Sequence, residues 1–546
     1  MKKPILYIVI SFFVNISSSY SQYTLIPDII FEQYLIDEGI DSEGTLDGQF
    51  LTQDAMGVEE LILTNKGVDD ITGVEVFLDL KKLWLQNNNL TALDLTNNLE
   101  LQQLDMNGNS VSSIDVKLLV NLLQLDISNN PIISIDVSQN TGLSSLFLVN
   151  CGISSVDISN NTNLRNLGLG GNNLSTIDLS ANVLLRVVGL NENELSTIDF
   201  SSNINIEFLL IDNNHFTEVD LSPLTMLNTL YVYENNLTSL DVSNNSQLED
   251  LLCSNNFLSS LDLTNNPLLE RLNSSNNPLI SLTYLSTDHL VSLECGFTQL
   301  TTINLENMPE LDYLYIGQNL LTSVDLSECP SLRVLVCSEN TISTSLDLSQ
   351  NPMLEWLFCS DNPIPSIDVA QCPLLDQFTA RNTLVVGLDL SNNFLVNQVS
   401  IRDNPNLQIV DVRNGNNADI SLSSTNSPNL SCILVDDASS GDGNWSIDPH
   451  TTLVNNIVEC NALDVTVYDL NKAVQLFPNP VKGVVSLAVT ENITIKSLQI
   501  IDALGRVVAT QKVNFERINL SKLPSGILFI KIETIETSII KKVIKE

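Results

Sequence analysis

The sequence predicts a mainly β chain, a long parallel β solenoid followed by a small antiparallel β-sandwich. Three observations predict it. Apolar residues recur every 21 residues through the middle of the chain, both halves of each period alternate apolar with other residues, and the charge balance reverses near residue 470. A period of this length means stacked coils, none of which can bury its apolar side chains alone.

Residues 1–22 come first. Lys2 and Lys3 precede the apolar run Ile5–Val14, and small polar residues follow to Ser21. That order predicts a secretory signal peptide. The run is shorter than the ~20 residues that cross a bilayer, and no later stretch is longer, so no membrane span is expected. Residues 23–57 are expected to form a helical cap on the open end of the array, with helices at Ile30–Ile40 and Phe50–Met56. Between them, Asp41, Glu43, Asp47 and Gly48 have a loose calcium-loop flavour. The third acid is misplaced and the distal Glu is missing, so the reading is a turn.

Residues 58–435 are the predicted solenoid, opening with a 22-residue coil at Val58–Asp79. From Leu80 to Ser331 the 21-residue register holds twelve times without insertion. One unit runs from Leu248 through Leu251, Cys253, Asn256 and Leu258 to Leu261, Asp262, Leu263 and Asn266. Its first half reads L-x-x-L-x-L-x-x-N-x-L and resembles the leucine-rich-repeat signature. Leu251 and Cys253 alternate and point inward from a short strand. Asn256 turns the chain and bonds backbone of adjacent coils, and Leu258 re-enters the core. The same Asn recurs from Asn88 to Asn319, with Cys151 and Thr298 in two gaps. The second half, L-D-L-x-x-N, repeats the apolar-x-apolar spacing, so strand or near-strand is expected on both arms. Beyond residue 331 the spacing loosens to a mixture of 21 and 22.

Residues 436–466 are expected to be a C-terminal cap and linker. Cys432 and Cys460 bracket Asp436, Asp437, Trp445 and Asp448, and a bridge between them would staple that cap to the last coil. Cys253, Cys295, Cys337 and Cys359 occupy inward strand positions and read as small buried hydrophobes. Cys151, Cys329 and Cys372 fall at turns.

From 467 a different β pattern begins. Leu476-Phe477-Pro478-Asn479-Pro480 precedes Gly483 and the alternation Val485, Leu487, Val489. Asp502-Ala-Leu-Gly505-Arg506 makes a turn between strands, Leu523-Pro-Ser-Gly526-Ile527-Leu528 opens another, and Lys541, Lys542 and Lys545 punctuate the last. These motifs resemble the type A C-terminal sorting domain of the type IX secretion system over residues 467–546. The departure is Ile527-Leu528, where the family has a small aliphatic residue and Tyr. The resemblance implies type IX secretion machinery as a partner, and a chain secreted or attached to the outer cell surface.

Charge supports the boundary. Residues 471–546 hold 11 Lys/Arg against 6 Asp/Glu, and the rest of the chain 13 against 59, within a net charge of -41. Such acidity repels nucleic acid and excludes it as the partner class. The three His (His215, His289, His450) lie outside any metal motif, and no nucleophile or phosphate-loop motif appears, so the chain reads as no enzyme and neither a catalytic nor a metal site is expected.

Two surfaces are left for function. On the outward strand positions, one aromatic and aliphatic cluster comprises Val187, Phe208, Leu210, Tyr231, Tyr233 and Leu252. A second comprises Tyr313, Tyr315, Val334, Val336, Trp356 and Phe358. Ladders of this kind suit contact with an extracellular protein or polysaccharide, or else cover one another as cross-strand pairs. The other surface is a column of aspartates from Asp94 through Asp115, Asp136, Asp157, Asp178, Asp199, Asp220, Asp241 and Asp262. It resumes at Asp325, Asp347, Asp368 and Asp389, after Thr283 and Asn304. Either local backbone bonds hold these carboxylates or calcium bridges them, and local bonding is favoured. The expected function is a surface recognition protein without a cofactor; the alternative is a structural adhesin or spacer stabilised by calcium.

Overall fold

The computed structural model describes residues 22–284, 288–439, 445–463, 474–489, 494–534 and 538–546. The expected signal peptide lies outside them, apart from Gln22. The chain divides into two compact units, residues 1–267 and 268–546.

In the first unit, three-residue strands at Glu60–Ile62, Lys82–Trp84, Gln103–Asp105, Gln124–Asp126, Ser145–Phe147, Asn166–Gly168, Val187–Gly189, Phe208–Leu210, Thr229–Tyr231 and Asp250–Leu252 pair parallel and in register. Each central residue is buried, as at Leu83, Leu104, Leu125 and Leu209. The strands stop early because the residue before the column asparagine turns left-handed, with φ of 53° at Asn87, 54° at Asn129 and 51° at Glu234. Asn and Gly tolerate that conformation best, and they fill most of these positions.

The asparagine column then ties coil to coil. Asn256 donates from Nδ2 to the carbonyls of Val232 at 3.0 Å and Cys253 at 3.2 Å, and its Oδ1 accepts the Leu237 amide at 2.9 Å. Cys151 and Thr298 keep part of this pattern: Cys151 Sγ reaches the Ile127 carbonyl at 3.4 Å, and Thr298 Oγ1 the Cys295 carbonyl at 3.2 Å.

The second arm differs from the expectation of strands on both sides. Between residues 85 and 250 its described residues form no strand. Side chains have taken over the bonding. Asn161 Nδ2 donates to the carbonyls of Val137 at 3.0 Å and Asn140 at 2.9 Å, and Asn98, Asn140, Asn182, Asn203, Asn245 and Asn266 form the same fully or nearly fully buried column. Each column aspartate meanwhile occupies an amide two residues on. With side chains satisfying the backbone, a regular ladder is not needed.

The N-terminal cap is only partly helical. Ile29–Asp37 is an α-helix whose N-cap, Asp28, accepts the amides of Ile30 and Phe31 through one oxygen and those of Asp69 and Asp70 through the other. That one carboxylate both starts the helix and fastens it to the first coil. Tyr34 Oη accepts the Ile62 amide at 2.8 Å at the first strand. The expected helix at Phe50–Met56 is instead a strand, Gln49–Leu51, paired antiparallel with Tyr23–Leu25, followed by a 3-10 turn at Thr52–Ala55. A seven-residue segment is too short to nucleate a helix once a strand partner holds its first amides. The Asp41–Gly48 segment is built around buried Glu32, whose Oε1 accepts the amides of Asp47 and Gly48, both at 2.7 Å.

In the second unit the ladder runs Arg271–Asn273, Ser292–Glu294, Tyr313–Tyr315, Val334–Val336, Trp356–Phe358, Gln377–Thr379, Gln398–Ser400 and Ser421–Ser423. Here the second arm does form strands: Leu346–Asp347 pairs with Ile367–Asp368, and Gly387–Asp389, Ile409–Asp411, Cys432–Leu434 and Thr452–Val454 pair in succession. The helix Ile457–Leu463 follows. Cys432 and Cys460 are joined, Cα to Cα 5.7 Å, in a small core with Leu434 and Val454.

The C-terminal sandwich has a three-stranded sheet of Val474–Phe477, Val484–Val489 and Arg517–Asn519. Facing strands make a four-stranded sheet in the spatial order Val507–Gln511, Ile495–Asp502, Gly526–Thr534 and Ser538–Lys545, and all pairs are antiparallel. Val485, Leu498, Ile500, Ile518, Ile530 and Val543 fill its own core.

Candidate binding face

On each coil the residues flanking the buried central residue point away from the core and stack at the strand spacing of ~4.8 Å. In the first unit Val187 pairs with Phe208, and Leu210, Tyr231 and Leu252 lie in one register row. Phe208 is 41% exposed, while Val187, Leu210, Tyr231, Tyr233 and Leu252 are half-buried. Tyr233 lies two residues past its strand and bonds the buried Asp212 carboxylate. Burial, then that hydrogen bond, push its phenol up to about 12, and burial also raises Asp212. Tyr233 is therefore a structural partner of a buried acid.

In the second unit Tyr313, Val334 and Trp356 form one row, and Tyr315, Val336 and Phe358 the next. Trp356 is 39% exposed. Val334, expected to face outward, is buried: it is flanked in register by the larger Tyr313 and Trp356, which close over a short side chain. Both clusters thus partly cover themselves, with one well-exposed ring at the edge of each. Phe297 was missed. It takes the left-handed turn position (φ 53°), is 42% exposed, and stacks on Tyr315 with ring centroids 6.3 Å apart. The signal is an aromatic residue where the other coils have Asn, Gly, Glu, Gln or Asp.

A third feature of the face was also passed over. The row that carries Leu210 and Tyr231 begins, coil by coil, Ile62, Trp84, Asp105, Asp126, Phe147, Gly168 and Gly189. Trp84 and Phe147 wall a shallow hollow of about 150 Å³, with Asp105 and Asp126 between them and Gln103 and Gln124 alongside. Asp105 Oδ1 accepts the Asn107 amide at 3.1 Å and Asp126 Oδ1 the Ser128 amide at 2.9 Å. No basic side chain of the described residues pairs with either carboxylate. Burial, and then the neighbouring Asp126 charge, raise Asp105 above its ordinary value against the lowering bonds from the Asn107 amide and from Gln86 Nε2, which donates to Asp105 Oδ2.

Along the second arm, every described aspartate of the column holds an amide through Oδ1 at 2.8–3.1 Å, from Asp94 with Thr96 to Asp389 with Ser391. In several coils these bonds depress the carboxyl: Asp136 is lowered to about 2, first by the Ser138 hydroxyl, then by its amide and by Lys117. Asp157, Asp178, Asp199, Asp220 and Asp325 are lowered by the same Ser pattern.

The thiols outside the Cys432–Cys460 bridge are all buried. Cys329 and Cys372, expected at turns, occupy the second asparagine column and direct Sγ toward carbonyls 24 residues earlier, Leu305 and Leu348. Burial pushes Cys253, Cys295 and Cys337 up to about 12.

Comparison with known proteins places both parts. Residues 475–546 match the family of the secretion system C-terminal sorting domain. No curated protein matches the chain by sequence. Among solved structures, the functional domain of InlJ from Listeria monocytogenes, described as including a cysteine ladder, is similar at 22% identity. It covers 96% of this chain and 99% of its own, with a TM-score of 0.57. The leucine-rich-repeat protein LIC12759 of Leptospira interrogans is similar at 19% identity over 74% of this chain and 97% of its own, TM-score 0.52. The Arabidopsis receptor kinase HAESA, solved with the peptide hormone IDA and the co-receptor SERK1, is similar at 18% identity over 70% and 79%, TM-score 0.52. These likenesses establish a leucine-rich-repeat fold.

Proposed function

We propose that this leucine-rich-repeat solenoid, tailed by a type IX sorting domain, is an exported, non-enzymatic recognition protein whose strand face binds an extracellular protein or polysaccharide. The observation that carries it is the exposure of Phe208 and Trp356 at the edges of two aromatic rows, in a chain where aromatics are only 5% of residues. A solved neighbour of this fold in complex with a peptide hormone supports the protein arm. The expected signal peptide and the sorting-domain match over 475–546 support a mature chain outside the cell, released or surface-attached.

The test uses the mature full chain on protein and glycan arrays. Replacing Tyr231, Trp356 and Phe358 by Ala is expected to reduce capture of the bound partner about tenfold or more without lowering the melting temperature. Tyr233 is left in place because it serves Asp212. Undiminished capture by this variant would favour the spacer reading.

For the aspartate column we propose local bonding, with no calcium requirement. Millimolar calcium is expected to shift melting no more than sodium chloride at equal ionic strength. Because Asp94, Asp136, Asp157, Asp178, Asp199, Asp220, Asp241 and Asp325 titrate below their unfolded value of ~3.9, their contribution is complete above that pH. It is lost as pH falls through the folded values, about 2 at Asp136. A calcium-specific rise in melting temperature, removed by changing Asp178, Asp199 and Asp220 to Asn, would overturn this and favour a calcium-stabilised adhesin.

A further inference from the structure

We infer that the hollow between Trp84 and Phe147 is a second binding site on the strand face, built to take the cationic side chain of an Arg or Lys from a protein partner. It deepens the recognition reading, on which it rests, by naming a ligand chemistry and a place.

Four observations converge. Asp105 and Asp126 stand in register on adjacent strands, so two carboxylates lie about one strand spacing (~4.8 Å) apart. Each has its own backbone amide, and Asp105 Oδ2 also accepts from Gln86 Nε2, yet neither has a basic partner among the described residues, so two like charges face one another without a countercharge. The walls are aromatic, and an indole face attracts cations: Lys82 Nζ, itself paired with Glu60, already rests 3.6 Å from the Trp84 centroid. The fourth observation explains why the hollow is open. A Cβ on Gly168 would stand 2.6 Å from Phe147 Cδ1, so the ring leans over the glycine and away from Asp126. Gly189 follows in the row, and bare backbone there leaves room for an extended segment to approach.

A guanidinium fits this arrangement well. Its planar face stacks on an aromatic wall while its N–H groups donate to both carboxylates, which a neutral ligand cannot match. A phosphate or an acidic sugar would meet two like charges. The chemistry therefore selects a basic peptide segment.

The experiment is calorimetric titration of the mature full chain with a blocked Ser-Arg-Ser tripeptide. Its control is Ser-citrulline-Ser, which keeps the shape and loses the charge. The arginine peptide is expected to bind saturably in the millimolar range, and the citrulline peptide about tenfold or more weaker. The double variant Asp105→Asn/Asp126→Asn is expected to lose about tenfold as well. Gly168→Ala, which returns the Phe147 ring toward Asp126, is expected to weaken binding with an unchanged melting temperature. Equal binding of the two peptides overturns the proposal, and so does undiminished binding by a folded double variant or the absence of saturable heat. If the double variant does not fold, the citrulline comparison still decides. The Tyr231, Trp356 and Phe358 variant keeps this hollow, so its titration separates failure here from failure of the aromatic-ladder reading.

Discussion

A chain lacking residues 467–546 is expected to accumulate in the periplasm and to be lost from the cell surface and medium. The same residues fused to a periplasmic reporter should carry it outside. The sandwich has its own core of Val485, Leu498, Ile500, Ile518, Ile530 and Val543, and its sheets pair only strands of that domain. Its charge also opposes the rest: 11 basic against 6 acidic residues from 471 onward, behind a strongly acidic array. Lys541, Lys542 and Lys545 sit on the last strand, Ser538–Lys545, which closes one edge of the four-stranded sheet. A domain with its own core that matches a sorting family over 475–546 can be moved as a label. Surface display of the truncated chain would show that export uses another signal.

Replacing Asn235 by Leu is expected to cost the array about 1–3 kcal/mol. Asn235 is 5% exposed. Its Nδ2 donates to the carbonyls of Ile211 at 3.0 Å and of Val232 and Tyr233 at 3.2 Å, and its Oδ1 accepts the Phe216 amide at 3.0 Å. Leu fills the volume but leaves the buried Phe216 amide without a partner, at about 1–3 kcal/mol, while the carbonyls of Ile211, Val232 and Tyr233 keep second donors in Asn214 Nδ2, Asn256 Nδ2 and the Asn213 amide. Thr should cost less, because Thr298 occupies the same column position in another coil and still bonds Cys295 and Asn319. Urea unfolding of the full chain measures this, read at its first transition, since long arrays do not unfold as one unit. A Leu variant as stable as the parent would show that the column is ornament.

Much of this was legible in the sequence because repetition averages out local ambiguity. One L-x-x-L-x-L-x-x-N unit is weak evidence; twelve in phase fix the coil length, the inward positions and the turn asparagine. The aspartate column was legible as a pattern, and its local bonding followed from Asp being two residues before an available amide. What misled was the second arm. L-D-L looks like a strand by period, yet between residues 85 and 250 the described residues there form none. Period reports which side chains face the core and is silent about whether backbone or side chain fills each hydrogen bond. Phe50–Met56 failed similarly, because its strand partner, Tyr23–Leu25, is far away in sequence.

The binding face shows the division most plainly. Sequence alone determined which residues sit on it, since alternation fixes the outward positions once the inward ones are known. It could not determine exposure. Val334 and Trp356 occupy equivalent positions, and one is buried while the other is 39% exposed, because exposure depends on the sizes of neighbours one coil away. Nor could it show the hollow at Trp84 and Phe147, whose members lie up to three coils apart. Those residues become neighbours only when parallel stacking sets them in one row, and the space between them exists only because a glycine in the next coil lets a ring lean aside. A repeat dictates each coil from within; what a surface can hold is decided between coils, by side chains that the period leaves free.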